Sequence, residues 1–333
     1  LSFLHYCEEI GYRVDTIDTS QVSFPKPNFY RRCAKAFGRL ALLLKLLCRH
    51  RYKGSVIFSS AGFSVLEKTA MSMICRAFKV KSILFIRSGH FILQYERSKL
   101  VRMASKVLLK GPTYLGAQGA RWVDLYRKIG IVESRIKLVR NWVSSDESIA
   151  TNPRKAVTAA LTFIFVGWVV EMKGVKDLVT AFTSSPLLKS CHLRVVGAGD
   201  LLPSLENYCS ARQVENITFY HWAKRREVNR LLGSSDVFVL PTYAEGFPNS
   251  LLEAMSIGLP AITTPVGAIP DSVTDNVNGF LIEPGNIAHL RLSMEKFVAN
   301  PALIEKFSSA NLSKVRENHG LATNCNTLLN FFN

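Results

Sequence analysis

The sequence holds no compact set of metal ligands: D-x-D, H-E-x-x-H and C-x-x-C occur nowhere in its 333 residues. That argues against the common zinc and divalent-cation sites, and the expectation is a protein without a metal. Seven cysteines, at 7, 33, 48, 75, 191, 209 and 325, are odd in number and scattered, so no disulfide framework is expected and a reducing cytoplasm fits. No G-x-S-x-G elbow is present, which removes the commonest α/β hydrolase reading. No window reaches the ~18 uncharged apolar residues of a spanning helix. Even "LALLLKLLC" is cut by Lys45. A signal peptide is also lacking, and the first residue is Leu1 rather than Met, so the chain is expected to be an incomplete copy.

Carboxylates are scarce, and unevenly so. Against 42 Lys+Arg stand 25 Asp+Glu, a net charge of +17. Residues 1–150 carry 26 cations and 10 anions (26 − 10 = +16), and residues 151–333 carry 16 and 15 (16 − 15 = +1). Nearly all the excess sits in one half, so the two halves should meet different partners.

The apolar content of 48% is that of a folded protein with real cores. From residue 55 short β-rich runs alternate with helical stretches: "SVIFSS" then "SVLEKTAMSMICRAF", "KSILFIRS" then "YERSKLVRMA", with "IKLVRN" closing the half. The polar stretch 143–158 reads as a linker. A second alternation follows, through "LTFIFVG", "HLRVVGAG", "NITFY", "DVFVLP" and "PAITTPV", with helices near 287–298, 301–316 and 322–332. Alternation of this kind predicts parallel sheets with helices on both faces. The expectation is two Rossmann-like, doubly wound domains facing a central cleft, over 1–142 and 159–333. "LSFLHYCEEIGYRVDTID" reads as a helix followed by a strand, with no strand before it.

Ligands of open α/β sheets bind beyond the carboxyl ends of the strands, which singles out four places. In "FVGWVVEMKG", Lys173 follows the strand ending at Gly167 and precedes a helix start, a setting that suits a phosphate or diphosphate. The plain alternative is a solvated lysine. "VVGAGD" puts Gly197 and Gly199 in a tight turn at the cleft rim. Leu202 stands where a dinucleotide fingerprint needs its third glycine, so a nicotinamide oxidoreductase is not indicated. His90, in "IRSGH", follows a strand of the basic half. "EGFPNSLLEAM" places Glu245 in a strand-to-helix loop and Glu253 three residues after Ser250, which also spells a capping box needing no ligand.

Residues 31–51, as a helix, would line Arg32, Lys35, Arg39, Lys45 and Arg49 along or near one stripe opposite leucines. That fits a basic interfacial helix on an anionic membrane, or an ordinary surface helix with its basic side in water. Aromatics are not interleaved with the cations as a nucleic-acid stacking platform requires.

From Phe163 to Gly285 the order "FVGWVVEMKGVKDLVTAF", "LRVVGAGD" and "ITFYHWAKRREVNRLLGSSDVFVLPTYAEGFPNSLLEAMSIGLPAITTPVGAIPDSVTDNVNGFLIEPGN", with its E-x7-E at Glu245 and Glu253, resembles the retaining glycosyltransferases of the group 1, or family 4, type. The first half is less similar, through "IRSGH", "YLGAQGARWVDLYRKIGI" and "IKLVRNWV". The resemblance implies the GT-B architecture and transfer of a sugar from a nucleotide-diphosphate sugar to an acceptor hydroxyl, with retention and no cofactor. It implies bacterial polysaccharide, capsule or lipopolysaccharide synthesis on a lipid-linked or oligosaccharide acceptor, in the cytoplasm or peripherally on the inner face of the membrane.

It assigns Lys173, Glu245 and His90 to catalysis, with Glu253 on the ribose. Gly246, Phe247, Pro248, Asn249 and Ser250, with Gly167, Trp168, Gly197 and Gly199, would line the donor. Two departures stand out: Trp168 occupies the position of a diphosphate-binding arginine, and a first strand with its glycine-rich loop is missing. The alternative is a non-catalytic nucleotide-sugar or phosphate-binding protein on the same fold.

Overall fold

Three β-rich runs of the basic half, "SVIFSS", "KSILFIRS" and "IKLVRN", become β1 (Gly54–Ser59), β2 (Lys81–Ile86) and β4 (Ile136–Leu138), and a further strand, β3 (Tyr114–Ala117), opens the segment "YLGAQGARWVDLYRKIGI". They form a parallel sheet in the order β1-β2-β3-β4. The computed structural model describes residues 2–20, 28–143 and 160–333, and divides into a unit of Leu1–Arg140 with Leu321–Asn333 and a unit of Asn141–Gly320. Of the expected linker, 143–158, all but Val143 lies outside the described residues.

Helices α1 (Ser2–Glu9), α2 (Phe29–Arg49), α3 (Phe63–Ala77), α4 (Gly89–Arg97), α5 (Lys99–Leu108) and α6 (Ala120–Ile129) belong to the first unit. The sheet is buried as parallel sheets must be, with Ile83, Leu84, Ile86 and Leu115 fully enclosed and Trp122 and Tyr126 of α6 packed against it.

Three expectations for this unit need correction. "YRVDTID" is not a strand. A β-rich run becomes a strand only beside an open edge, and no described strand pairs with residues 12–18. They are tied instead by side chains: the Tyr52 hydroxyl donates to Asp15 Oδ2 at 2.6 Å, and Lys53 lies over the Tyr12 ring. The basic stripe of residues 31–51 does not lie wholly in water either. Arg39 turns inward, where its Nε donates to Glu67 Oε1 at 2.6 Å and Lys68 reaches Glu67 Oε2 at 3.0 Å. A buried carboxylate needs such partners, and this one takes two.

The domain bounds also change, because helix α13 (Leu321–Asn330) leaves the second half and joins the first. Its Cys325 and Leu328 are buried in the same unit as Cys7 of α1, Tyr6 donates to Asn326 Oδ1 at 2.9 Å, and Phe332 fills the space a β-carbon at Gly54 would need. Burying that apolar end gives more than leaving it in water.

The second unit holds β5 (Thr162–Val166), β6 (His192–Val196), β7 (Ile217–Tyr220), β8 (Val237–Leu240), β9 (Ala261–Thr263) and β10 (Gly279–Leu281). The strands are parallel in the order β10-β9-β8-β5-β6-β7. Strand β10, three residues starting at a glycine, was too short to be read from periodicity. Around the sheet stand α7 (Val175–Thr183), α8 (Leu202–Ala211), α9 (Arg225–Gly233), α10 (Asn249–Ser256), α11 (Ile287–Ala299) and α12 (Ala302–Asn318). Phe163, Phe165, Phe238 and Val239 are fully buried between the helical layers. The chain runs β5-β6-β7 to one side and returns through β8-β9-β10 to the other. The strand order therefore reverses between β5 and β8.

All seven cysteines are free. No helix among the described residues is long and apolar enough to cross a membrane.

Candidate functional site at the strand-order reversal of the second unit

Two loops leave the sheet where its order reverses. After β5 the chain passes Gly167 and Trp168, makes a 3-10 turn at Glu171–Lys173, and enters α7 through Gly174. After β8 it passes Tyr243 and Glu245 and enters α10 at Asn249.

Backbone and side chains lock the loops together: Tyr243 N and Thr242 Oγ1 both donate to Met172 O, at 2.9 and 3.0 Å. The Tyr243 hydroxyl donates to Asp177 Oδ2 at 2.7 Å, and that bond with burial pushes the phenol pKa up to about 12. Gly174 makes the close approach achievable. It has φ +68°, and a β-carbon there would lie 2.0 Å from Pro241 O.

This locking brings the Lys173 ammonium onto Glu245 Oε1 as an ion pair. The Glu245 side chain is 10% exposed and that of Lys173 22%. Burial raises the Glu245 pKa above the usual carboxylate range, and Lys173 draws it only part of the way back. Beneath the loop, Gly267 lies at φ +58°, where a β-carbon would sit 2.1 Å from Glu245 O, and Ala268 N donates to Gly246 O at 2.8 Å. The Glu245–Gly246 backbone is thus held from below.

Residues that sequence reasoning did not single out hold the next turn. Phe247 is buried and stacks on His319, with ring centroids 5.4 Å apart and planes at 20°. His319 Nδ1 donates to the Asn141 carbonyl at 2.6 Å, and its Nε2 lies 2.8 Å from Ser272 Oγ. A neutral ring with its proton on Nδ1 accepts there from the serine. Asn141 Nδ2 in turn donates to Asn249 Oδ1 at 2.8 Å. Asn141 lies in the "IKLVRNWV" segment already noted for its likeness, whereas a lone histidine at 319 carries no sequence signal.

The capping box is not formed. Helix α10 starts at Asn249 with Pro248 as its cap residue, and no side chain caps it. Ser250 is therefore inside the helix, and the positive end of the α10 dipole points into the loop. Glu253 Oε1 instead faces Arg225 Nη2 at 3.9 Å, and burial raises its pKa against the opposing effect of Arg225.

Gly197 and Gly199 serve backbone packing: β-carbons there would lie 1.9 Å from Gly167 O and 2.2 Å from Val169 O. Trp168 is 40% exposed and packs on Trp222, itself 71% exposed, at 5.4 Å. His90 is exposed in the first turn of α4, in the other unit. Among the described residues no three His, Cys, Asp or Glu side chains come together as a metal site.

A lysine and an uncapped helix start at a strand-order reversal make an anion site, and a buried carboxylate beside them adds a hydroxyl acceptor. Residues 150–314, about half of the chain, match the family described as "Glycosyl transferases group 1". The lipopolysaccharide 1,6-galactosyltransferase of Escherichia coli K12 is 31% identical over 182 residues, 53% of this chain and 50% of that protein. The capsular polysaccharide biosynthesis glycosyltransferase CapM of Staphylococcus aureus is 28% identical over 145 residues, 42% of this chain and 37% of that one. The chain spans about half the length of the curated relatives it matches.

Among solved structures, Anabaena HepE in complex with UDP superposes with a TM-score of 0.70 at 15% identity, covering 88% of this chain and 81% of that one. The apo form of the lipopolysaccharide outer core galactosyltransferase WaaB gives 0.63 at 18% identity, over 91% and 81%. At these identities the structures show the fold, which is GT-B, with two parallel-sheet α/β domains. Through residues 150–314, this chain belongs to the glycosyl transferases group 1 family.

Proposed function

We propose that the protein moves a sugar from a nucleoside-diphosphate sugar to an acceptor hydroxyl, with retention of anomeric configuration and without a metal. The observation that carries the reading is the Lys173–Glu245 pair beside the uncapped start of α10, at the point where the sheet order reverses.

Departure of a nucleoside diphosphate from an anomeric carbon puts growing negative charge on the leaving phosphate, so stabilising that charge is the main electrostatic task. Lys173 and the α10 amides around Asn249 and Ser250 meet it. On donor binding the diphosphate takes the Lys173 ammonium from Glu245, whose freed carboxylate accepts from hydroxyls of the transferred sugar. Gly246 and Phe247 line that sugar, and Pro248 has no amide to give. Glu253 accepts from the ribose. The leaving phosphate itself takes the acceptor proton on the front face, so no protein base is assigned and Glu245 is not a nucleophile.

The first unit binds the acceptor, and His90 contributes from there. Relatives named for lipopolysaccharide and capsule synthesis support a lipid-linked or polysaccharide acceptor at the inner face of a membrane. One observation favours a donor-binding protein without turnover: Trp168 packs against Trp222 where a second cation would help the leaving group. A thermal-shift panel of UDP-, GDP- and ADP-sugars, followed by an assay for released nucleoside diphosphate, tests both. A stabilising donor that is never turned over selects the second reading, and no stabilisation by any donor removes both.

A further inference from the structure

Helix α5 is amphipathic with the wrong side out. Its Leu100, Met103 and Val107, spaced three and four residues apart and so on one face, are 75%, 68% and 72% exposed, while Ser105 is its one buried residue. Lys99 and Lys106 flank that line and are exposed. The same arrangement recurs on two neighbours: Leu66 and Met73 point out of α3, and Tyr30, Phe37 and Leu44, seven apart, point out of α2 between Arg31, Lys35 and Lys45. Helices α2 and α3 touch, and the turn that follows α5 meets α3. Arg39 of α2 donates to Glu67 of α3, and Gly111, just after α5, lies so close to Met73 and Thr69 of α3 that a β-carbon would be 3.0 Å from each.

We infer that the outer faces of α2, α3 and α5 form a membrane-docking surface that inserts its apolar side chains among the lipids of an anionic bilayer. The charge pattern commits the surface to this occupant. The three helices hold eleven Lys and Arg, of which Arg39 and Lys68 are buried against the one carboxylate, Glu67, which leaves nine cations and no anion on the remaining surface. A cationic rim around exposed aliphatic side chains fits phosphate headgroups above acyl chains. A second copy of the chain would bring the same cations face to face, which opposes a dimer through this surface. The surface extends beyond residues 31–51 to α3 and α5, and it is independent of donor chemistry.

The test is flotation of the full chain with phosphatidylcholine vesicles, with and without 30% phosphatidylglycerol, at low and high salt. Binding should require the anionic lipid and weaken with salt as screening grows. Met103→Glu with Val107→Glu should cut the bound fraction at least tenfold, while Leu292→Glu, at an exposed site of the second unit, should leave it unchanged. Circular dichroism and donor thermal shifts on the same variants confirm folding and keep this result separate from the donor assignment. Binding indifferent to anionic lipid, or to both α5 substitutions, overturns the inference. So does a fall in solution mass on Met103→Glu, which would make the face a dimer contact, or capture by an acidic protein with no vesicle binding.

Discussion

The Lys173 ammonium is paired with the Glu245 carboxylate across two loops that leave neighbouring parallel strands, β5 and β8. Neither residue is near the other in sequence. Their meeting depends on the strand order, on Gly174 and on the bonds that Thr242 and Tyr243 make to Met172.

Gly174→Ala should separate those loops. Its φ of +68° costs any L side chain roughly 1–2 kcal/mol, and the added carbon would meet Pro241 O at 2.0 Å. Gly130 is a control, with φ +92° and nothing within 4 Å of its added carbon. Gly174→Ala is expected to lower Tm more than Gly130→Ala and to reduce kcat, whereas Gly130→Ala should leave kcat unchanged. Equal effects of the two would mean the close approach is unimportant.

Glu245 sets a pH dependence. Its pKa is raised by burial, so as pH falls the carboxylate is neutralised above the usual range near ~4.3. If its charged form accepts from the sugar, the acid limb of kcat/KM falls at a pH above that range, and Glu245→Gln lowers the rate while flattening the limb. A pH–rate profile from 4 to 9 checks this, and an acid limb unchanged in Glu245→Gln would assign it to another group.

Glu253 has a stability signature of the same sign. A carboxyl whose folded pKa is raised binds its proton more tightly in the native state, so its contribution is full below the unfolded pKa and is lost as pH rises through the folded one. Glu253→Gln escapes that loss. The Tm gain of Glu253→Gln over the natural protein, without ligand, should grow as pH rises from about 4 toward neutrality. A pH-independent difference in melting scans contradicts the assignment.

His319 supports the loop that leads into α10 through its stack on Phe247 and its bonds to Asn141 and Ser272. His319→Ala leaves two buried partners unsatisfied and a void beside the ring, a loss of roughly 2–4 kcal/mol. Asn141→Ala is milder, removing the bond to Asn249. It should raise donor KM several-fold with a smaller change in kcat, since the loop and not the reacting atoms is disturbed. Steady-state kinetics separates the two parameters.

Eight of the ten strands among the described residues were legible because alternation of apolar runs and helical stretches reports parallel sheets directly, whereas β3 and β10, four and three residues long and each holding a glycine, were too short to read. That Lys173 and Glu245 lie in loops after strands was legible from the alternation of runs, and Glu253 stood out by its spacing from Glu245 and Ser250. The strand at residues 12–18 and the solvated stripe through Arg39 failed for one physical reason: local pattern does not say which edge or charge a segment will find. Ser250 and Glu253 spelled a capping box, yet the helix began one residue earlier, at Asn249. His319 and Asn141 were invisible because they meet only when chain segments 178 residues apart come together.

The most direct test of the central claim is the rate of nucleoside-diphosphate release from the stabilising donor by the full chain and by Lys173→Ala and Glu253→Ala. Lys173→Ala should lower kcat by about tenfold or more, equivalent to at least ~1.4 kcal/mol of lost transition-state stabilisation. Glu253→Ala should raise donor KM with a smaller change in kcat. Turnover unchanged in both variants would contradict the account.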